Sequence, residues 1–312
     1  IPLDRFEARY EDTAAIATLE SVDADEVEGD ETEAEVPIQA TTLAFGMIQQ
    51  PLELTFGSDG IAFEPRLLFP GLTNDEELSR KTKMPERAPI LAADGQAMAE
   101  GPSLAREHPL GDSMIDVTGE VGVPEDAELS TTTEALGFSE GEPVGTSGLE
   151  LAYNARLAGT PGGTLSAVPV GSEPGTEGTV LGTGTPKAAK PLKTSIDPAI
   201  QDAAVTALAG RAGGVVAMAA KTGAVKAIAG QAYSVLQPPG STMKIVTATA
   251  ALDTAKAKMD STYPVVTEAP ADGRTIQNAH GELCGGTFVE AFANSCNSVF
   301  APLAMEIGEE AM

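Results

Sequence analysis

The chain has 312 residues, 42% apolar and 21% charged, which is enough for two or three domains with buried cores and excludes a wholly disordered polymer. Its formal net charge of −27 would repel phosphate backbones, so nucleic acid is excluded as a partner. Two His and two Cys leave little for a metal centre and exclude a scaffold built from disulfides.

The opening Ile1-Pro2-Leu3-Asp4-Arg5-Phe6 reads like the middle of a domain, so the chain is expected to start after a removed segment. No apolar run approaches the roughly 20 residues that span a bilayer, and no secretory signal is present. Residues 13–21 favour helix, whereas the acidic run from Asp23 to Glu35 cannot bury itself and is expected to be loop. From Val36 to Phe69 apolar residues alternate, and Leu52-Glu53-Leu54-Thr55-Phe56 before Gly57-Ser58-Asp59-Gly60 signals a hairpin. Residues 71–190 hold short apolar pieces between turns such as Asp94-Gly95. Their end, from Gly171 to Pro191, is rich in Gly, Pro and Thr and reads as a flexible connection.

Charge changes along the chain. Residues 1–190 carry 11 basic and 35 acidic groups, while residues 191–312 carry 8 and 11, which marks the last third as a separate, packed module behind a solvated, extracytoplasmic-style surface. Asp197-Pro198 places a capping residue before a Pro at the first helical position, and an Ala-rich helix follows to Leu208. Residues 214–218 and 224–228 flank Lys221-Thr222-Gly223 as strand, turn and strand. After Pro238-Pro239-Gly240 the stretch from Ser241 to Leu252 has no Gly or Pro and is expected to form a helix. Another is expected from Phe288 to about Ile307, broken near Ser295.

Ser241-Thr242-Met243-Lys244 is the sharpest chemical feature. Three residues apart on a helix, the hydroxyl and the amine share a face. A serine is a poor nucleophile until a neighbouring base takes its proton, and a desolvated Lys can be that base. A capping Ser followed by a solvated Lys is the plainer alternative, and about one such spacing arises by chance in a chain this long. Ser295-Cys296-Asn297 follows, and the order Ser-x-x-Lys then Ser-x-Asn is that of penicillin-binding proteins and related β-lactamases. In that order Ser295 can relay a proton to a leaving amine and Asn297 can hold a peptide carbonyl. Local helix breaking is the alternative for both. Lys221-Thr222-Gly223 has the letters of that family's third motif but precedes the nucleophile at a turn, so it is assigned to structure. His280 and His108 are read as loop residues outside any Ser-His-Asp triad. A zinc site from His280, Cys284 and Cys296 lacks a fourth ligand. Cys284 and Cys296 are left with two outcomes, a disulfide outside the cytoplasm or two buried thiols.

The wider text resembles the monofunctional, class B penicillin-binding proteins. The run from Thr82 to Gly95 is similar to the opening of their pedestal domain, and Gly148-Leu149-Glu150 with Leu157-Ala158-Gly159-Thr160-Pro161-Gly162 is similar to a later pedestal motif. Leu192 to Asp197 with Gln201 resembles the entry to their transpeptidase domain, and Pro239 to Lys244 and Ser295 to Phe300 complete five motifs in order. The resemblance implies a multidomain α+β fold. Residues 1–70 would be the C-terminal part of a nuclear-transport-factor-like domain and residues 71–190 the β-rich pedestal. Residues 191–312 would be the N-terminal part of a transpeptidase domain with an antiparallel sheet flanked by helices, like serine β-lactamases. It implies a peptidoglycan D,D-transpeptidase with Ser241 as nucleophile, Lys244 as base, Ser295 as relay and Asn297 as the positioning amide. No cofactor or metal is implied. The partners implied are stem peptides, β-lactam antibiotics and proteins of a cell-wall synthesis complex, at the extracytoplasmic face of a bacterial membrane. The family's Lys-Thr-Gly motif would lie beyond Met312. A non-catalytic scaffold relative and a β-lactam sensor or serine β-lactamase are the competing readings.

Overall fold

The computed structural model describes residues 3–30, 32–57, 60–139 and 141–312, with side chains from Asp4 onward. Packing divides it into two units, Ile1–Ser234 and Val235–Met312. Among the described residues no helix is long and apolar enough to cross a membrane.

The first unit opens with α1 (Leu3–Ala17), which starts before the expected 13–21 and stops short of its end because Thr18 turns left-handed and its hydroxyl accepts from the Ala44 amide. The acidic run is not loop. Strands β1 (Leu19–Ala24) and β2 (Glu28–Gly29) both pair antiparallel with β3 (Glu33–Thr42). The charges need no burial, because almost every side chain of β1 and β2 faces water while the backbone is satisfied by β3. A carboxylate-rich edge also discourages pairing with another chain. β3 buries Ala34, Val36, Ala40 and Thr42 in alternation and forms a long hairpin with β4 (Gly46–Gly57). The expected hairpin after Phe56 is present as β4 with β5 (Gly60–Ile61); its tip, Ser58-Asp59, lies outside the described residues.

β6 (Glu76–Lys83) leads to the short hairpin of β7 (Ile90–Leu91) and β8 (Ala97–Ala99), turned at Asp94-Gly95 as expected. Then come α2 (Ile115–Thr118), β9 (Val121–Gly122), α3 (Ala127–Ala135, capped by Asp126), β10 (Val144–Gly145), α4 (Gly148–Ala152) and α5 (Asn154–Ala158). Glu150 is fully buried and sits between two guanidinium groups: Arg87 Nε donates to it at 2.7 Å and Arg106 Nε at 2.9 Å. Arg87 also donates to Asn154 Oδ1 at 3.0 Å, which takes the Gly145 amide as well. The two sequence motifs at 82–95 and 148–162 therefore meet in one buried ionic network.

β11 (Gly162–Pro169) pairs with β6 on one side and with β12 (Thr179–Gly184) on the other. Part of the expected flexible connection is thus an ordered strand. Its glycines serve close approach: a Cβ on Gly184 would collide with the Ala44 carbonyl, and one on Gly182 would stand 2.9 Å from Ile48 Cδ1. One core joins Ala17, Phe45, Ile48, Phe69, Leu78 and Leu165, and so runs across residue 70. A second joins Ile90, Met98, Met114 and Leu157 to Leu192 and Ile196, across residue 190.

β13 (Leu192–Lys193) runs parallel to β7. Asp197 caps α6 (Pro198–Leu208) through the amides of Ala199 and Ile200, as its sequence dictates. β14 (Gly214–Met218) and β15 (Val225–Gly230) form the expected hairpin, with exposed Lys221 in the turn. The second unit holds α7 (Met243–Asp253), β16 (Thr262–Val266), β17 (Glu268–Ala271), β18 (Arg274–Gln277), β19 (Cys284–Thr287), α8 (Phe288–Ala293) and α9 (Asn297–Ile307). Its core is Ala248, Ala251, Phe288, Val299, Phe300 and Leu303.

Removing one member of a buried ion network strands the others without water. Glu150→Ala is therefore expected to cost about 3–5 kcal/mol in urea unfolding of the full-length protein. Glu150→Gln, which keeps hydrogen-bond acceptance, should cost less.

Candidate active site

Pro238-Pro239-Gly240 brings the chain into a 3₁₀ turn, Gly240–Thr242, that runs into α7. Ser241 and Lys244 share a face there, and Lys244 Nζ donates to Ser241 Oγ at 2.9 Å. The amine also reaches Ser295 Oγ at 3.2 Å and Asn297 Oδ1 at 2.6 Å, and Ser295 Oγ lies 2.9 Å from Ser241 Oγ. All four residues singled out in the sequence are brought together around one nitrogen.

Ser295 and Asn297 reach that point because the helix expected over 288–307 is broken between α8 and α9. Thr287 and Glu290 form a reciprocal capping box at the start of α8. Its end is closed by amides of Asn294, Ser295 and Cys296 donating back to Glu290, Phe292 and Ala291. Ser295 is the left-handed residue of that ending, with φ 57°, a conformation that costs a non-glycine residue roughly 1 kcal/mol. Cys296, fully buried, is joined to Cys284 at the start of β19, so the disulfide is the outcome of the two that the sequence leaves open.

Partial burial lowers the Lys244 pKa from the ordinary lysine value, and among the described residues no carboxylate lies within ion-pair distance to hold the proton. A neutral Lys244 can accept the Ser241 proton while donating to Asn297.

Two partners escape a motif-based reading. Asn297 Nδ2 donates to the Gln277 carbonyl at 2.8 Å, and Asn278 Oδ1 accepts from the Ser298 amide at 2.9 Å. Asn278 stands two residues before His280, and polarity next to a turn was its one visible signal. His280 is exposed in the turn between β18 and β19 and is no partner of Ser241; His108 pairs with Thr118 Oγ1 at 3.2 Å in the first unit. Lys221-Thr222-Gly223 belongs to the first unit. Among the described residues no cluster of His, Cys, Asp and Glu could hold a metal ion.

Comparison with known proteins gives consistent matches. Residues 213–312 match the family model of the penicillin binding protein transpeptidase domain, and residues 97–183 match that of the penicillin-binding protein dimerisation domain. Over 85 residues the chain is 36% identical to the peptidoglycan D,D-transpeptidase PbpA of Mycolicibacterium smegmatis, covering 26% of this chain and 17% of that protein. Over 88 residues it is 35% identical to PbpA of Mycobacterium tuberculosis strain H37Rv, covering 26% and 18%. These alignments thus span less than a fifth of the curated relatives. The crystal structure of Pseudomonas aeruginosa PBP2 in complex with WCK 5153 is similar in fold, with TM-score 0.54 and 24% identity over 74% of this chain and 55% of that one.

A lysine whose pKa is lower in the folded than in the unfolded state binds fewer protons when folded, so its contribution to stability grows with pH between the two values. The stability difference between wild type and Lys244→Met is therefore expected to move in favour of wild type as pH rises from the lowered Lys244 value toward the ordinary one. Urea unfolding across a pH series checks it; a pH-independent difference would mean that the amine titrates normally.

Proposed function

This chain belongs to the class B penicillin-binding proteins, and we propose that it is part of a peptidoglycan D,D-transpeptidase whose nucleophile is Ser241. The observation that carries the proposal is the convergence of Ser241, Ser295 and Asn297 on the amine of Lys244, within 2.6–3.2 Å. In this reading residues 1–70 are the end of a nuclear-transport-factor-like domain, residues 71–190 the pedestal and residues 191–312 the start of the transpeptidase domain.

The geometry supports the following reaction. Lys244 Nζ takes the proton as Ser241 Oγ attacks the carbonyl carbon of the penultimate D-Ala of a stem peptide. The Ser295 hydroxyl touches both the nucleophile and the amine, so it can pass that proton to the leaving nitrogen as the C–N bond breaks. Terminal D-Ala departs and an ester on Ser241 remains. The amine of a neighbouring strand then attacks the ester, and the same groups run in reverse. Asn297 lies beside Lys244 Nζ and can hold the substrate amide. A β-lactam carbonyl presents the same electrophile to Ser241 but keeps its amine tethered, which favours a long-lived adduct. The Cys284–Cys296 disulfide supports a site outside the cytoplasm, where thiols oxidise. Proteins of a cell-wall synthesis complex are the expected partners.

Labelling of the full-length protein with a fluorescent penicillin tests the reading. Ser241→Ala should abolish the adduct and Lys244→Ala should slow its formation by about 10²–10⁴-fold. Lys221→Ala should leave it unchanged. The wild-type rate should rise with pH through the Lys244 titration and level off below the ordinary lysine range. Labelling that survives in Ser241→Ala would place the nucleophile elsewhere. Rapid release of hydrolysed penicillin would indicate a β-lactamase, and a wild type that never labels would indicate a scaffold.

A further inference from the structure

We infer that Asn278 is a positioning residue for this site, acting through Asn297 and the first turn of α9; the inference rests on the reading of Ser241 and Lys244 just given. Asn278 directly follows β18 and is buried, with 6% of its surface exposed. Its side-chain amide is used at both ends. Nδ2 donates to the carbonyls of Val266 at 2.8 Å and Glu282 at 3.1 Å, and Oδ1 accepts from Ser298 N at 2.9 Å.

The last of these bonds does the work of a helix cap. α9 begins after Cys296, whose side chain is held in the disulfide and gives its first turn no hydrogen bond. A remote amide supplies the acceptor that Ser, Thr or Asp would normally supply locally. Asn278 thereby fixes where α9 starts relative to the end of β18. One residue earlier, the Gln277 carbonyl takes Asn297 Nδ2 at 2.8 Å, which leaves Asn297 Oδ1 as the end facing Lys244 Nζ at 2.6 Å. Turning that amide over would set NH₂ against the amine and oxygen against a carbonyl, losing both bonds. The orientation of Asn297 is thus dictated by a strand end that Asn278 holds.

The other side of the segment is tied as well. Cys296 is bonded to Cys284, and Ser298 Oγ donates to the Cys284 carbonyl at 3.3 Å. Residues 296 and 298 are held against β19 and Asn278, and residues 295 and 297 are left to Lys244.

The test compares Asn278→Ala and Asn278→Asp with Leu303→Ala, a cavity variant in the same core, all in the full-length protein and well below their melting temperatures. Asn278→Ala should slow the first-order acylation step by about 10²-fold, as misplacement of about 1 Å can, while the dissociation constant of the initial penicillin complex stays within about 2-fold. Asn278→Asp keeps the acceptor for Ser298 N and loses both donations, so it should fall between. In NMR of ¹³C-lysine protein, the Lys244 titration should move toward the ordinary lysine range in Asn278→Ala as water enters beside the amine. Leu303→Ala should match wild type in both readouts. Wild-type acylation and titration in the folded Asn278 variants would overturn the inference, as would an equal loss in Leu303→Ala. Should Asn278→Ala fail to fold, Asn278→Asp decides by the same two measurements. The titration needs no penicillin. A wild type that does not acylate but whose Lys244 responds to Asn278 would therefore sink the functional reading and leave the positioning role standing.

Discussion

The break between α8 and α9 is the constraint on which the second unit depends. An unbroken helix from Phe288 to Ile307 would set side chains two residues apart about 200° from each other, so residues 295 and 297 could not both face Lys244. Stopping the helix at a left-handed Ser295 gives that stretch a near-extended course for one step, so Ser295 and Asn297 look toward α7 and Cys296 and Ser298 look back into the core. Strain at Ser295 is offset by the capping box behind it and the disulfide ahead of it. The amine of Lys244 then has three side-chain oxygens around it and no carboxylate, and its partial burial lowers its pKa.

The first unit solves the opposite problem. Glu150 is buried with two arginines whose side chains are almost as buried, and every charge is matched by hydrogen bonds to carboxylate or carbonyl oxygens. Such a cluster contributes little net stability compared with an apolar core, but a wrong arrangement of these segments would leave a charge unpaired. It therefore penalises misassembly of the many short pieces between residues 84 and 158, which have few regular strands to guide them. One unit buries its charges fully paired, while the other sets a partly buried amine among uncharged oxygens.

Local signals carried much of this into the sequence. Asp197-Pro198 caps a helix by chemistry contained in two residues, Lys221-Thr222-Gly223 sits at a turn for the same reason, and the Ser241–Lys244 contact needs only helical spacing. The break near Ser295 was legible because Asn294-Ser295-Cys296-Asn297 interrupts an apolar helix. What was hidden was non-local. The acidic strands β1 and β2 depend on a partner strand that their own composition does not reveal, and β12 looked flexible because glycines chosen for contact with the 42–48 turn read the same as glycines chosen for freedom. Glu150 carried no mark of burial, since its partners are 63 and 44 positions away. The Asn278–Ser298 bond spans 20 residues and involves a backbone amide, which no side-chain motif can announce.

The alternating course of residues 295–298 also bears on how such a site can change over generations. Substituting any one of the four alters that residue's own contacts and leaves the other three addressed to the same neighbours. Removing or inserting one residue there would instead exchange the two sets, sending Cys or Ser toward the amine and the Ser295 hydroxyl into the core. Change in this segment is thus expected as substitution at fixed length, with differences in loop size left to turns that pack against nothing, such as the exposed turn around Lys221 between β14 and β15.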